Sequence, residues 1–207
     1  MPVSLVDDRV WFDTSSKLKE ICSQVDASLA EGRNALVLSH FQSTLSSLEQ
    51  LLRERAIPYQ KFSAYDSSIL CSAADRTVWV GLARAFQPPN ALNLQTAATA
   101  RVQIVIAEHH PRQSKDQAVI DAAAKLACAS ELCFYFSLDD ALLKYFDGES
   151  IQRLFRQLGI DERECISHPL VTTAIRGAQE KIEDLVPKDL QAESIEDWFK
   201  YNLRGKP

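Results

Sequence analysis

The residues best suited to chemistry stand at the ends of short apolar runs. Glu108, His109 and His110 follow VQIVIA (102–107), and Ser39-His40 closes ALVLSH (35–40). Imidazoles beside a carboxylate are the raw material of a metal site or a proton shuttle. Neighbouring side chains at a strand end point to opposite sides, however, so His109 and His110 do not readily share one ion. Ser39-His40 suggests nucleophilic catalysis, but sequence neighbours rarely reach the required geometry and no G-x-S-x-G elbow presents the serine. Asp139-Asp140 and Asp66 offer carboxylates; the former pair opens a helical pattern, where negative charge complements the helix dipole. The expectation is therefore no catalytic residue, no metal and no cofactor. His40, Glu108, His109 and His110 remain as a candidate ligand edge, because open α/β sheets bind ligands at the carboxyl ends of their strands.

The elements that position these residues follow from hydrophobic spacing. Leu18, Ile21, Val25 and Leu29 mark a helix over 15–29, ended by Gly32. ALVLSH reads as a strand buried on both faces. Ser43 is a plausible N-cap for a helix over 44–56, with Leu45, Leu48, Leu51 and Leu52 on one side. Further strands are predicted near 59–62, 77–82, 102–107 and 131–137, with a helix over 112–127. Strands alternating with helices specify a parallel sheet covered on both faces. PPNALNLQTAATA (88–100) is a polar, proline-led connection. Beyond Leu138 the strand signals stop, and LDDALLKYF, ESIQRLFRQLG, PLVTTAIRGAQEKIEDL and AESIEDWFKYNL all read as helices, with Gly148 and Gly159 as separators and Pro169 at a helix start. The expected organisation is an α/β domain over 1–147 and a helical extension over 148–207.

Composition narrows the class. The 207 residues are 46% hydrophobic, enough for a normal core, and the net charge of −5 argues against a nucleic-acid binder. Five cysteines (22, 71, 128, 133 and 165) include no Cys-x-x-Cys pair. Reduced thiols in a cytoplasmic protein are expected, with Cys128 and Cys133 as small core residues. The N-terminal MPVSLVDDRVWF lacks a signal pattern, and no apolar run is long enough to span a bilayer.

One long segment carries a family resemblance. From Phe134 to Glu183 the chain reads Phe134, Tyr135, Ser137, Leu138 and Asp140, then Phe146, Leu158-Gly159, His168-Pro169, Ala174-Ile175, Ala178-Gln179, Lys181 and Glu183. These residues, in this order, resemble SecA, the preprotein translocase ATPase, in its second motor domain and the start of its scaffold helix. VWFDTSSKLKEIC is similar to that family's lead-in helix. His110 and Asp116 match its Glu-Arg-His region, so the likeness covers most of residues 10–183. It implies a RecA-like (P-loop NTPase, helicase C-terminal type) sheet with a helical C-terminal extension.

The departures bear on activity. SecA hydrolyses ATP between two RecA-like domains, the first of which brings a phosphate-binding loop; no G-x-x-x-x-G-K-[ST] occurs here. The family's Gln-x-x-Gly-Arg-x-Gly-Arg window is AVIDAAAKLA (118–127), with Ala122 and Lys125 at the arginine positions and Asp121 and Ala124 at the glycines. Lysine keeps a charge but not the bidentate fork. Its Gly-Arg-Gly-Thr-Asp loop is replaced by LARAFQPPN. The reading is a non-catalytic SecA-like domain that acts as a protein-binding or regulatory module, with a translocase-related protein as the natural partner by analogy, and is not inserted in a membrane. The alternative is the second half of a composite ATPase, using Arg84, Arg101, Arg112 or Lys125; a small-molecule enzyme built around His109 and His110 is a third. Pro187 breaks the long scaffold helix of the family, so Trp198, Phe199 and Tyr201 either fold back over the apolar face or dock onto a partner.

Overall fold

In the computed structural model, residues 3–72, 76–88, 100–145, 153, 157, 165–166 and 169–203 are described. Among them, seven strands form a wholly parallel sheet: β1 (Ser4–Leu5), β2 (Arg9–Trp11), β3 (Asn34–Ser39), β4 (Gln60–Phe62), β5 (Val78–Leu82), β6 (Arg101–Ile106) and β7 (Ala129–Ser137). The order is β1-β7-β6-β3-β5-β4, and β2 pairs with β7 beyond β1 on the same edge. The central strands are the apolar runs of the sequence, because a strand covered on both faces has no water-facing positions to fill with polar residues. β3 is buried at every residue.

Side chains alternate between two apolar layers. Leu36, Leu38, Ile104, Ile106, Leu132 and Phe134 face α4 (Gln113–Ala123), which contributes Val119, Ala122 and Ala123. Val37, Val80, Val105, Cys133 and Tyr135 face α1 (Thr14–Ala30) and α2 (Gln42–Glu54), which contribute Ile21, Val25, Leu45, Leu48 and Leu52. Gly81 permits β4 to approach β5: a Cβ there would lie 2.2 Å from the Phe62 carbonyl oxygen. Further α-helices among the described residues are α3 (Ser67–Leu70), α5 (Ala141–Tyr145), α6 (Pro169–Leu185) and α7 (Ile195–Asn202).

A third apolar cluster joins the C-terminal helices to the sheet. Val10, Phe12 and Phe136 pack with Val171, Ile175, Ile182, Trp198 and Phe199. The helical extension thus shares a core with β2 and β7.

Three expectations need correction. β1 and β2 were not foreseen as strands; Ser4–Leu5 is only two residues long and exposed, with no alternation to betray it. α2 begins at Gln42, with Phe41 at the N-cap, two residues before Ser43 would place it. Cys71 and Cys128 are joined in a disulfide across 57 residues, rather than both being reduced; Cys22, Cys133 and Cys165 are free thiols. Sequence spacing could not reveal that pairing, since the tertiary fold alone brings the turn after α3 beside the start of β7. The expected helix over 149–159 and the 88–100 connection lie largely outside the described residues, as do Phe146, Gly148, Leu158, Gly159 and His168.

Candidate functional site

The carboxyl ends of β3 and β6 carry all four residues of the predicted ligand edge. β3 passes into α2 through His40 and Phe41, a three-residue path without glycine from Ser39 to the first turn. A helix that starts there directs free backbone N–H groups and its positive dipole end at the sheet edge, an inherent anion site. The chain's own carboxylate sits at its rim, on the N-cap amide and the one before it. Glu108 Oε1 accepts hydrogen bonds from His40 N at 2.8 Å, Phe41 N at 3.0 Å and Ser39 Oγ at 2.6 Å. Glu108 Oε2 accepts from the Thr44 hydroxyl. Glu108 is 2% exposed.

Asp116, in the first turn of α4, is the second anion of the edge. Its Oδ1 accepts from His110 N at 2.9 Å, and its Oδ2 from Gln179 Nε2 at 2.6 Å and His109 Nδ1 at 2.8 Å. His40 Nε2 also lies 2.9 Å from Oδ1, but off the line of a hydrogen bond. Burial alone would raise the Asp116 pKa; the His109 imidazolium outweighs it and holds the carboxyl well below the usual range. Burial likewise opposes charge on His109, yet Asp116 and Asp8 lift its pKa to about 10. Its Nε2 is 3.6 Å from Asp8, an ion-pair distance too long for a hydrogen bond. His109 stacks on Phe134 with centroids 4.5 Å apart.

His110 behaves in the opposite way. Burial and the neighbouring His40 push its pKa down to about 3, and Nδ1 accepts from Arg112 N at 2.9 Å. The two adjacent rings have different partners, Asp116 for His109 Nδ1 and the Arg112 amide for His110 Nδ1. One is held cationic and the other neutral. No group of three or more His, Cys, Asp or Glu side chains suited to a metal occurs among the described residues.

The C-terminal segment closes this edge from outside. Trp198, 1% exposed, packs edge-on to His110, and its Nε1 donates to Asp189 Oδ1 at 2.7 Å. Asp189 also pairs with Lys115 at 2.9 Å, and Ser43 N donates to Glu193 O at 2.9 Å. The fold-back is thereby realised for Trp198 and Phe199, both buried, while Tyr201 is 43% exposed. A cavity of about 80 Å³ remains beneath the segment, lined by His40, His110, Lys115, Arg84, Asp189 and Trp198. Small-molecule sites typically enclose roughly 300–1,000 Å³. The deep pocket that a His109/His110 enzyme would need is not found at this edge among the described residues.

The residues at the phosphate-facing positions of the resemblance lie elsewhere. Ala122 is 1% exposed in the core; Asp121 is exposed and accepts from Gln117 Nε2 at 2.8 Å; Lys125 is exposed in the turn after α4. Asp121 and Ala122 lie about 8–9 Å along α4 from Asp116 at 1.5 Å per residue, and Lys125 is beyond the helix end. Sequence reading passed over Asp116 as the hub of the network, and Asp189 and Lys115 altogether. A signal for Asp116 existed: it falls in the first turn of a helix that follows two histidines, and Gln179 and Glu183 repeat at helical spacing on α6. Gln179 reaches Asp116, and Glu183 clasps Arg112.

The chain matches no family model. It is 25% identical over 191 residues to the protein translocase subunit SecA of Lachnoclostridium phytofermentans, covering 88% of this chain and 22% of that protein. It is 26% identical over 193 residues to the SecA of Campylobacter hominis, covering 89% and 22%. The chain therefore spans about a fifth of the length of the curated relatives it matches. Among solved structures, the C-terminal part of the Fun30 ATPase domain aligns with a TM-score of 0.42 and 12% identity, over 81% of this chain and 54% of that one. The E. coli DEAD-box protein SrmB aligns at 0.44 and 10%, over 69% and 80%.

Proposed function

We propose that the chain is a non-catalytic SecA-like module that acts by binding another protein and does not hydrolyse ATP. The observation that carries this reading is the occupation of the α2 N-terminus by Glu108. A phosphate approaching the same N–H groups meets a buried carboxylate already bonded to His40 N and Phe41 N, and the His40 ring lies 2.9 Å from a second carboxylate, Asp116. Two like charges brought within about 4 Å repel by roughly 4 kcal/mol at an effective dielectric of 20. The C-terminal segment adds a steric barrier through Trp198 and the Lys115–Asp189 pair.

The arginines named for a composite ATPase do not converge. Arg112 is held by Glu183, Arg84 stands exposed at the carboxyl edge and bonds Gln191 at 3.3 Å, and Arg101 lies at the opposite edge of the sheet. The reading of a second-half subunit is correspondingly weaker. A translocase-related partner and a cytoplasmic location belong to the same proposal and rest on the likeness to SecA. No helix among the described residues is long and apolar enough to cross a membrane. Exposed Leu190 and Tyr201, 47% and 43% accessible, supply apolar surface for a protein contact on the folded-back segment.

The test is phosphate release from Mg-ATP by the purified chain. Release indistinguishable from a protein-free blank supports the proposal. Steady turnover that disappears in a Lys125→Ala variant refutes it.

A further inference from the structure

The opposite, amino-terminal edge of the sheet holds a larger cavity, of about 540 Å³, at the starts of β3, β6 and β7. That volume lies within the roughly 300–1,000 Å³ of small-molecule sites. Its charged wall is unusual for an acidic protein, because Arg33, Arg76 and Arg101 all line it. Arg33 is braced from the protein side: one terminal nitrogen lies 2.6 Å from Glu31, and the other donates to Gln103 at 3.0 Å and lies 3.7 Å from Glu131. Its Nε is buried and has no hydrogen-bond partner among the described residues. Such an unmet donor is costly, and in native structures it points to a missing partner.

Arg76 and Arg101 differ from Arg33 in carrying no ion pair or hydrogen bond among the described residues. Arg76 lies over Gly32, its Nε 3.8 Å from where a Cβ would stand. Ser130, only 6% exposed, also lines the cavity, and its hydroxyl has no partner among the described residues. Glu31 and Glu131 line the same cavity and pair with Arg33, leaving Arg76 and Arg101 as its uncommitted cations and a small positive excess on the wall. The Cys71–Cys128 disulfide lies directly beside the cavity, since Ser72 and Ala129 both line it. The two walls are therefore tied covalently, a form of preorganisation that lowers the cost of binding.

We propose that this cavity binds a small oxyanion with two or more negative charges, a phosphate compound or a polycarboxylate, held by Arg76 and Arg101 with Ser130 as a hydroxyl donor. Planar guanidiniums match both oxyanions bidentately. The site is independent of the closed carboxyl edge and does not rest on the proposed function.

The experiment is calorimetric titration of the full chain with pyrophosphate and, separately, with citrate, at about 50 mM salt so that screening is modest. The expected result is saturable binding of at least one of the two, identifying which oxyanion is preferred. Arg76→Gln with Arg101→Gln should weaken it at least about tenfold, through loss of charge-assisted contacts. A control pair at the other edge, Arg84→Gln with Lys115→Gln, should change affinity less than about twofold, a bound set by additivity of distant sites. Neither replaced arginine makes a bond among the described residues, so an unchanged melting temperature verifies folding; Arg101→Lys alone, expected to weaken binding by losing the fork, serves if the double variant misfolds. Absence of saturable binding for both anions overturns the proposal. Equal weakening by the two pairs does so as well, since it marks general attraction to surface charge. Failure here leaves the carboxyl edge reading intact, because only the control pair reports on that edge.

Discussion

Replacing Glu108 by glutamine removes one charge from the centre of the carboxyl edge while preserving shape. In the native chain this group accepts four hydrogen bonds, two from the backbone at the start of α2 and two from the hydroxyls of Ser39 and Thr44. Glutamine retains one carbonyl oxygen for the His40 and Phe41 amides. Its NH₂ replaces Oε2, and the Thr44 hydroxyl must rotate to accept. The loss is thus the charged component of these bonds plus the interaction with the helix dipole. Bonds to a charged group exceed neutral ones by about 1 kcal/mol each, and a buried charge at a helix end contributes up to about 2 kcal/mol. Relief of burying a charge offsets part of this, leaving about 2–3 kcal/mol of destabilisation. For a chain of this size that is a fall in melting temperature of about 4–12 °C. Urea unfolding followed by circular dichroism measures the free energy directly. A change under about 0.5 kcal/mol would refute the reasoning, because it would show that the carboxylate is not what satisfies the α2 N-terminus.

Other expectations concern separate parts of the molecule. Trp198→Ala should cost about 3–5 kcal/mol, read by denaturant unfolding, since it empties a fully buried site against His110 and Phe199. Ring-nitrogen NMR should show His109 protonated up to about pH 9 and His110 neutral down to about pH 4, from their pKa values near 10 and 3. Asp140 is pushed up to about 6 by burial, against the pull of Lys17. A raised carboxylate pKa means the folded state favours the proton, so this group's contribution is fully present below pH 4 and is lost as pH rises through about 6. Asp140→Asn should accordingly flatten the stability profile between pH 4 and 6. Reducing the Cys71–Cys128 bond should destabilise the fold by up to about 4 kcal/mol in the chain-entropy account, given its span of 57 residues. A melting temperature indifferent to reductant would contradict that. Ala56, at φ 55°, sits in the left-handed region after α2, so Ala56→Gly should stabilise by about 1 kcal/mol in the same unfolding assay.

The legible and illegible parts of the chain divide along physical lines. β3, β5, β6 and β7 are continuous apolar runs bounded by polar residues, and burial on both faces leaves that mark in a single sequence. α2 shows equally clearly through Leu45, Leu48 and Leu52. β1 and β2 pair only at an edge, where no periodicity is demanded. α2 starts before the point that local capping rules favour, Ser43, because Glu108, which accepts from the amide of the N-cap residue Phe41, lies more than sixty positions away in sequence. The same distance hid the chemistry of the edge. His109 and His110 were visible as unusual residues, but their opposite protonation depends on Asp116, Asp8 and His40, which only the fold assembles. Trp198 advertised a need for burial by its company of Phe199 on one helix face. What it covers, His110 and the start of α2, followed only from the turn through Asp189. The arginine-lined cavity leaves no local mark, since Arg33, Arg76 and Arg101 come from three separate stretches of the chain.

The closure of the carboxyl edge is tested most directly by an NMR titration of the ¹⁵N-labelled chain with Mg-ATP, following the backbone amides of His40 and Phe41. Both are already donating to Glu108 and should keep their resonance positions at millimolar nucleotide. Saturable shifts at these two amides, accompanied by movement of the Trp198 indole signal, would mean that phosphate displaces the internal carboxylate and that the edge is open.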